Sequence, residues 1–340
     1  MKGSNFKISR KQQMLHKVVI IDGFPGCGKT MLSPIVSAFD RVEIMQYSYS
    51  FEQICHLHFL NRVDNDVAES MIRMNSDLLI YNVSMGRETN CRPSDLSSIF
   101  RHRPLQHIRR MLSEGDRIIP QKIKENKPIL NLTTHTQLPN HELLFNSLKD
   151  KLIFYEVVRH PLYMIIQDAK NFKMLETSIS QEVKFSIDGK EYPFFTLGWE
   201  HLFDKSNSYE KAIYHMNFYF EYLFSMSDQR VKVIPFEIFV KQPDAYINTI
   251  SSDFGSPVTR KVKSEMKRQK VPREQISDAP ALEAYKKCGW EPPKSFSEKK
   301  ELEVRRELVS SNVSRKALSV LDDLSERYIS KYLSNYNIQS

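Results

Sequence analysis

The chain has 340 residues, of which 41% are apolar and 26% charged, and its formal net charge is +8. That length can bury a substantial core as one large α/β domain or two smaller ones, and the composition is that of a folded globular protein. The four cysteines, Cys27, Cys55, Cys91 and Cys288, contain no Cys-x-x-Cys pair, so neither a disulfide framework nor a zinc knuckle is indicated.

Residues 1–16 form a basic, polar arm without the apolar segment of a secretory signal. No stretch approaches the ~18 apolar residues of a membrane span, so a cytoplasmic location is expected. "VVIIDGFPGCGKTML" (18–32) then joins a β-branched strand to a glycine-rich turn and a helix opened by Lys29 and Thr30. Gly23-x4-Gly28-Lys29-Thr30 is P-loop spacing in the strand-turn-helix context that the pattern needs. The glycines let backbone N–H groups face phosphate oxygens at a helix N-terminus whose dipole favours anions. An anionic nucleotide is therefore the expected ligand of Gly23, Phe24, Pro25, Gly26, Cys27, Gly28, Lys29 and Thr30.

"RVEIMQY" (41–47) reads as a second strand, and 48–115 as a largely helical insertion with apolar residues at three- and four-residue spacing. Within it, "CHLH" (55–58) offers too few ligands for a metal site, and no metal is expected. The arginines at 87, 92, 101, 103, 109 and 110 lack interleaved aromatics, which argues against nucleic acid and would suit an acidic or glycan acceptor. "NKPILNLTTH" (126–135) and "DKLIFYEVVRHP" (150–161) read as buried strands, the second stopped by Pro161, which also opens a helix. "EVKFSIDGKEYPFF" (182–195) alternates about Asp188-Gly189, a hairpin signal. A helix over 209–226, a strand at "RVKVIPFE" (230–237), a helix stopped by Gly255, a linker at "GWEPPKSF" (289–296) and a helical tail complete the chain.

Strands alternating with helices predict an α/β, P-loop-type three-layer fold, with a central parallel sheet and helices on both faces. The expected domain spans 17–288, includes the insertion at 48–115 and a hairpin at 182–196, and precedes a C-terminal helical extension at 297–340. The loop, His135 and Arg159 each follow a predicted strand end, the edge where such sheets bind ligands. An ATP-driven P-loop enzyme also needs Mg2+ held by the loop Thr and by an Asp ending a second strand. Thr30 supplies the first, but the later strands offer only Glu156 and Glu237, and Asp22 precedes the loop itself.

The order of "GFPGCGKTML", "THTQLP" (134–139), "VVRHPLYM" (157–164), "GWEHLFDKSN" (198–207) and "VIPFEIF" (233–239), over most of 17–255, resembles the sulfotransferases that use 3′-phosphoadenosine 5′-phosphosulfate (PAPS). In that family the series runs as a "YPKSGTTW" loop, a "THLP" segment, a "VxRNPxD" junction, an "SWxxHxxxWW" stretch and a late "YED" strand. The resemblance implies that "GFPGCGKTML" is the 5′-phosphosulfate loop, His135 the catalytic base and Arg159 a ligand of the 3′-phosphate. It puts Gln167 where the family has a helix serine, Gly26 where it has the loop lysine, and Lys29 where it has a threonine. Lys270 and Arg273 in "KRQKVPR" would substitute for the family's "RKG" segment. The implied reaction is in-line transfer of a sulfuryl group to the hydroxyl of a glycan or small molecule, with His135 taking the proton and Lys29 offsetting leaving-group charge. Acceptor selection is expected in the 48–115 insertion and the 188–189 hairpin.

Two other readings stand beside this one. Lys29-Thr30 restores a Walker-type loop, which fits a kinase using ATP and Mg2+ on a small-molecule or glycan substrate. The long insertion fits a nucleotide-regulated binding protein.

Overall fold

The structure is a computed structural model that describes residues 6–93, 95, 97–113, 115–175, 182–277, 297–334 and 336. The predicted linker at 289–296 and Cys288 lie outside these residues. In chain order the elements are β1 (Lys17–Asp22), α1 (Lys29–Ser37), α2 (Tyr49–Phe59), α3 (Asn65–Met85), α4 (Pro104–Leu112), α5 (Ile119–Asn126), β2 (Ile129–Thr133), α6 (His141–Leu148), β3 (Leu152–Val158) and α7 (Pro161–Leu175). They continue with β4 (Lys184–Ile187), β5 (Lys190–Pro193), α8 (Glu200–Lys205), α9 (Ser208–Ser225), β6 (Val231–Pro235), α10 (Phe236–Lys241), α11 (Asp244–Phe254), α12 (Arg260–Arg268), α13 (Glu298–Ser310) and α14 (Arg315–Tyr332).

The central parallel sheet has the order β2-β1-β3-β6 and carries helices on both sides. Its strands are mostly apolar and largely buried, as expected where both faces are covered. Val18, Val19, Ile20 and Ile21 in β1 are all fully buried, each stabilising the fold by about 1.5–3 kcal/mol. From β1 the chain goes first to the neighbour on one side, β2, and later to the neighbour on the other, β3. The strand order therefore reverses beside β1. No helix among the described residues is long and apolar enough to cross a membrane.

The chain divides into two compact units. The first comprises Met1–Asp22, Thr30–Tyr155 and Ser251–Val262. Within it β1 and β2 pair in parallel from Lys17–Ile129 to Ile21–Thr133. Asn131 is a polar residue inside fully buried β2, and it is satisfied by α1: its amide donates to the Ser33 carbonyl and to Ser37 Oγ at 2.9 Å. Thr133 makes the same kind of link to Ser33 at 2.7 Å. Helix α3 packs on α2, α5 and α6. Its buried Asp77 accepts from the backbone N–H groups of Gln13, Met14 and Leu15 and from Arg10, which ties the basic arm down.

The segment 41–47 departs from expectation. It meets β2 only at two isolated bridges, Val42–Ile129 and Gln46–Leu132. Four steps along one chain oppose three along the other, so an extra residue breaks the ladder, as in a β-bulge. Glu43 lies in the break, where Arg110 grips its carboxylate through Nη1 and Nη2 at 2.7 and 2.8 Å. Two further arginines of the 87–110 cluster are also committed to structure. Arg101 donates to the Asp95 carbonyl and Arg103 to that of Phe39.

The second unit comprises Gly23–Lys29, Glu156–Ile250 and Lys263–Ser340. Helix α7 packs on α9, and α13 and α14 both pack on α7. The antiparallel β4–β5 hairpin turns through Asp188 and Gly189, both with positive φ (50° and 79°), as a type I′ turn requires. Asn207 and Glu210 form a reciprocal capping box that fixes the start of α9.

Asp22 is fully buried at the end of β1 and holds the segment after β2. Thr134 Oγ1 donates to it at 2.8 Å, and the N–H groups of Gln137 and Leu138 at 2.6 and 3.0 Å. Asp22→Ala is expected to cost about 3 kcal/mol, because two backbone donors lose a charged acceptor, and Thr134→Val only about 1 kcal/mol. Chemical denaturation of the two variants tests this ordering.

Candidate functional site

The glycine-rich loop belongs to the second unit, and its shape follows from what surrounds it there. Gly23 has φ 146°, and a Cβ on it would lie 2.3 Å from the Val157 carbonyl oxygen at the end of β3. A Cβ on Gly28, with φ 111°, would lie 2.3 Å from the Phe236 ring. Gly26 has φ 84° and faces the Gln167 side-chain oxygen, at 3.0 Å from where a Cβ would sit. The loop therefore follows a path that L side chains rarely adopt, pressed against β3, α7 and α10. Cys27 N–H donates to the Phe24 carbonyl at 3.1 Å and tightens the turn.

Phe24 anchors the loop through its side chain. The ring is buried, 4.7 Å from His215 and 5.7 Å from Tyr219 between centroids, so only the backbone of Phe24 is available to a ligand. Pro25 is half-buried, Cys27 is buried and Thr30 is exposed. Lys29 opens α1 and turns its ammonium inward, donating to the carbonyls of Gly23 and, at 3.3 Å, of Phe24.

Arg159 follows β3 directly and is only 3% exposed. Its guanidinium donates to the Gly26 carbonyl at 3.2 Å and lies between two rings, 4.6 Å from the Tyr163 centroid and 4.2 Å from that of Phe236. Arg273 stands over the same Phe236 ring at 5.3 Å and donates to the Ile276 carbonyl. Gln167, two turns along α7 from Arg159, lies beside Gly26. The second unit thus brings together the loop glycines, Lys29, Arg159, Gln167 and Arg273. Lys270 is exposed beyond the end of α12, in left-handed conformation with φ 52°.

A second layer supports these groups. Glu237 is fully buried, accepts from His160 N–H at 2.8 Å and from the Tyr328 hydroxyl at 2.7 Å, and its pKa is raised by burial. The neighbouring His160 imidazole is pushed down to about 3 by burial first and by Arg305 and Arg159 next, so it stays neutral. Arg305 of α13 is fully buried, pairs with Glu301 at 2.9 Å and lies 4.7 Å from the Tyr163 centroid. Tyr163 is therefore in contact with two guanidiniums, one from each end of the chain segment 159–305. Glu156 in β3 accepts from the Tyr219 hydroxyl.

His135 belongs to the first unit, two residues beyond β2. Its side chain is 36% exposed, its Nδ1 lies 3.2 Å from Glu52 Oε1, and its ring is nearly parallel to that of Tyr47 (14°, centroids 5.9 Å apart). Glu52 on α2 is buried. One turn further along that helix His56 is buried too, in contact with the Gln137 amide at 2.9 Å, while Gln137 also donates to the His135 carbonyl at 2.7 Å. Burial holds the His56 pKa down to about 3. His58 instead meets Asn65 Oδ1 at 2.7 Å, so the histidines of "CHLH" go to different neighbours.

Sequence reasoning missed Glu52, Tyr163, Phe236 and Arg305. Glu52 and His56 stand at i and i+4, on one face of a helix, which was a usable signal. Tyr163 likewise follows Arg159 by four residues at the start of α7. Nothing in the local sequence of Phe236 or Arg305 marks what they touch.

No family model matches the chain, and no curated protein matches it. Solved structures to which it is similar include sulfotransferase STF9 from Mycobacterium avium, at 12% identity and a TM-score of 0.41, over 96% of this chain and 78% of that one. A sulfotransferase domain from the curacin biosynthetic pathway is 11% identical with a TM-score of 0.36, over 86% and 98% of the two chains. A sulfotransferase domain from the Synechococcus PCC 7002 olefin synthase is also 11% identical with a TM-score of 0.36, over 88% and 98%. The functional reading rests on the chain's own residues.

The loop geometry predicts unequal costs at two glycines. Gly26→Ala meets the movable end of Gln167 and should cost about 1–2 kcal/mol for its backbone conformation. Gly23→Ala meets a β3 carbonyl that cannot move without breaking the sheet, and should cost clearly more. Thermal unfolding of both variants checks the ranking, and equal losses would contradict it.

Proposed function

We propose that the protein is a sulfotransferase that moves a sulfuryl group from PAPS to the hydroxyl of a glycan or small molecule. One observation carries the choice of donor chemistry: each carboxylate at or near a strand end has structural partners. Asp22 takes Thr134 and two backbone donors, Glu156 takes the Tyr219 hydroxyl, and Glu237 takes His160 N–H and the Tyr328 hydroxyl. A phosphoryl-transfer site would need such a carboxylate for Mg2+.

The residues fit an anionic nucleotide. Glycines at positions where a Cβ would collide leave backbone N–H groups within reach of phosphate oxygens, and Lys29 and Arg159 add positive charge in the same unit. Gly23 to Lys29 would hold the 5′-phosphosulfate and Arg159, with Gln167, Lys270 and Arg273, the remainder of the nucleotide. Bound PAPS would supply a sulfuryl group whose bond to the 5′-phosphate oxygen breaks as the acceptor oxygen bonds to sulfur, the electron pair leaving on that phosphate. His135 accepts the proton of the acceptor hydroxyl. Lys29 offsets the negative charge left on the phosphate oxygen, which supplies without metal the stabilisation that Mg2+ gives a kinase.

A second reading has one observation in its favour. Thr30 follows Lys29 in Walker-type order and is exposed, as a Mg2+-binding hydroxyl of an ATP-using kinase would have to be.

Calorimetric titration separates the two. Adenosine 3′,5′-bisphosphate is expected to bind equally well with Mg2+ and with chelator, and Arg159→Ala to weaken it roughly 10- to 100-fold. ATP binding that requires Mg2+, with no affinity for the bisphosphate, would overturn the proposal in favour of the kinase. Once an acceptor is in hand, His135→Ala should lower kcat roughly 10²- to 10⁴-fold and leave bisphosphate affinity unchanged.

A further inference from the structure

We propose that Glu52 is the positioning residue for His135, holding the neutral imidazole with its proton on Nδ1 so that Nε2 receives the proton of the acceptor. This rests on the reading of His135 as the base. The geometry is specific. Glu52 Oε1 lies 3.2 Å from Nδ1, and the carboxylate is only 5% exposed, while the imidazole is 36% exposed. An ionised carboxylate has no hydrogen to donate, so contact with it requires the proton to be on Nδ1. The ring nitrogen left without a proton is then Nε2. Which nitrogen of a histidine carries the proton is set by the bond that the other makes.

The surroundings restrict the ring further. Tyr47 lies nearly parallel to one face of the imidazole. The backbone that carries His135 is tied on both sides, by Thr134 to Asp22 and by Gln137 and Leu138 to the same carboxylate. Gln137 also donates to the carbonyl of His135 itself. In the first unit the titratable groups around the imidazole are Tyr49, Glu52 and His56 from α2, and Tyr47 from the segment ahead of it. Burial holds His56 neutral and pushes the Tyr47 phenol up to about 12 and the Tyr49 phenol upward. Glu52 is therefore the one charged neighbour among these four at neutral pH. No bond to hydrogen is made or broken by Glu52 in this scheme: the acceptor's proton goes to Nε2, and the resulting imidazolium is stabilised by the carboxylate at Nδ1.

Nitrogen NMR of the histidine-labelled, unmutated protein reads the tautomer directly and needs neither donor nor acceptor. The neutral His135 should be protonated on Nδ1; a proton on Nε2 overturns the proposal. Glu52→Gln keeps the shape and removes the charge, and the glutamine can present either its oxygen or its amide to Nδ1. It should lower kcat roughly 10²-fold or more without changing the affinity for adenosine 3′,5′-bisphosphate. A carboxylate favours the charged imidazolium and raises its pKa. The acidic limb of kcat/KM should therefore move to lower pH in Glu52→Gln, and Glu52→Asp should recover part of the rate. If His135→Ala abolishes transfer while Glu52→Gln leaves kcat and the limb where they were, the positioning role falls and the base assignment stands. If His135→Ala leaves transfer intact, the base assignment itself falls and takes the positioning role with it.

Discussion

The ring of Phe236 is the surface on which the loop site of the second unit is built. It fills the space that a Cβ on Gly28 would need, and its face carries the guanidinium of Arg159 at 4.2 Å and that of Arg273 at 5.3 Å. A cation over an aromatic face gains about 0.5–2 kcal/mol, more as water is excluded, so one side chain organises the backbone turn and two of the charges proposed to serve it. Its position is set by the β6–α10 junction, where Pro235 ends the strand and Phe236 begins the helix. The next residue, Glu237, is fully buried and hydrogen-bonded to His160 and Tyr328. Its two bonds fix that junction against the start of α7 and against α14.

The C-terminal helices thereby acquire a role beyond covering apolar surface. Helix α14 provides Tyr328 to Glu237, and α13 provides Arg305, which contacts Tyr163 while Arg159 contacts the same ring. Two guanidiniums near one aromatic ring repel each other, and the arrangement is tolerable because Glu301 pairs with Arg305 at 2.9 Å and the ring contributes its negative face to both. Burial of Arg305 is costly without such partners. The helices that follow the sheet domain are in this sense part of the support of Arg159, which itself braces the Gly26 carbonyl.

Much of this was legible in the sequence where one local rule was sufficient. The β-branched run at 18–21, the glycine spacing after it, the Asp188-Gly189 turn and Pro161 at the start of α7 are signals that the backbone alone must obey. Segment 41–47 misled because β-propensity is silent about register: one extra residue, and a Glu43 drawn to Arg110, reduce the expected ladder to two bridges. The arginine cluster was ambiguous in another way. A run of positive charge looks like a binding surface until its partners are known, and Arg101, Arg103 and Arg110 serve loop carbonyls and Glu43. The i, i+4 spacing puts Glu52 and His56 on one helix face, but their contacts with the 135–137 segment, like that of Arg305 with Tyr163, join positions far apart in the chain, and no local pattern encodes a distant contact.

The distribution of charge within the second unit bears on its chemistry. Lys29 donates to the Gly23 and Phe24 carbonyls, Arg159 to that of Gly26 and Arg273 to that of Ile276. Carbonyl oxygens satisfy a cation's hydrogen bonds without cancelling its charge. The nearby carboxylates have the complementary arrangement, Glu237 taking a backbone N–H and a phenol, and Glu156 a phenol. Burial raises the Glu237 pKa, while the His160 N–H, the Tyr328 hydroxyl and Arg159 act to lower it. An anion approaching the loop would therefore exchange carbonyl contacts for contacts with an opposite charge; it would not first have to break an ion pair at Lys29. A loop built this way is electropositive through its own residues, and that is the property a metal-independent transfer of a charged group would need.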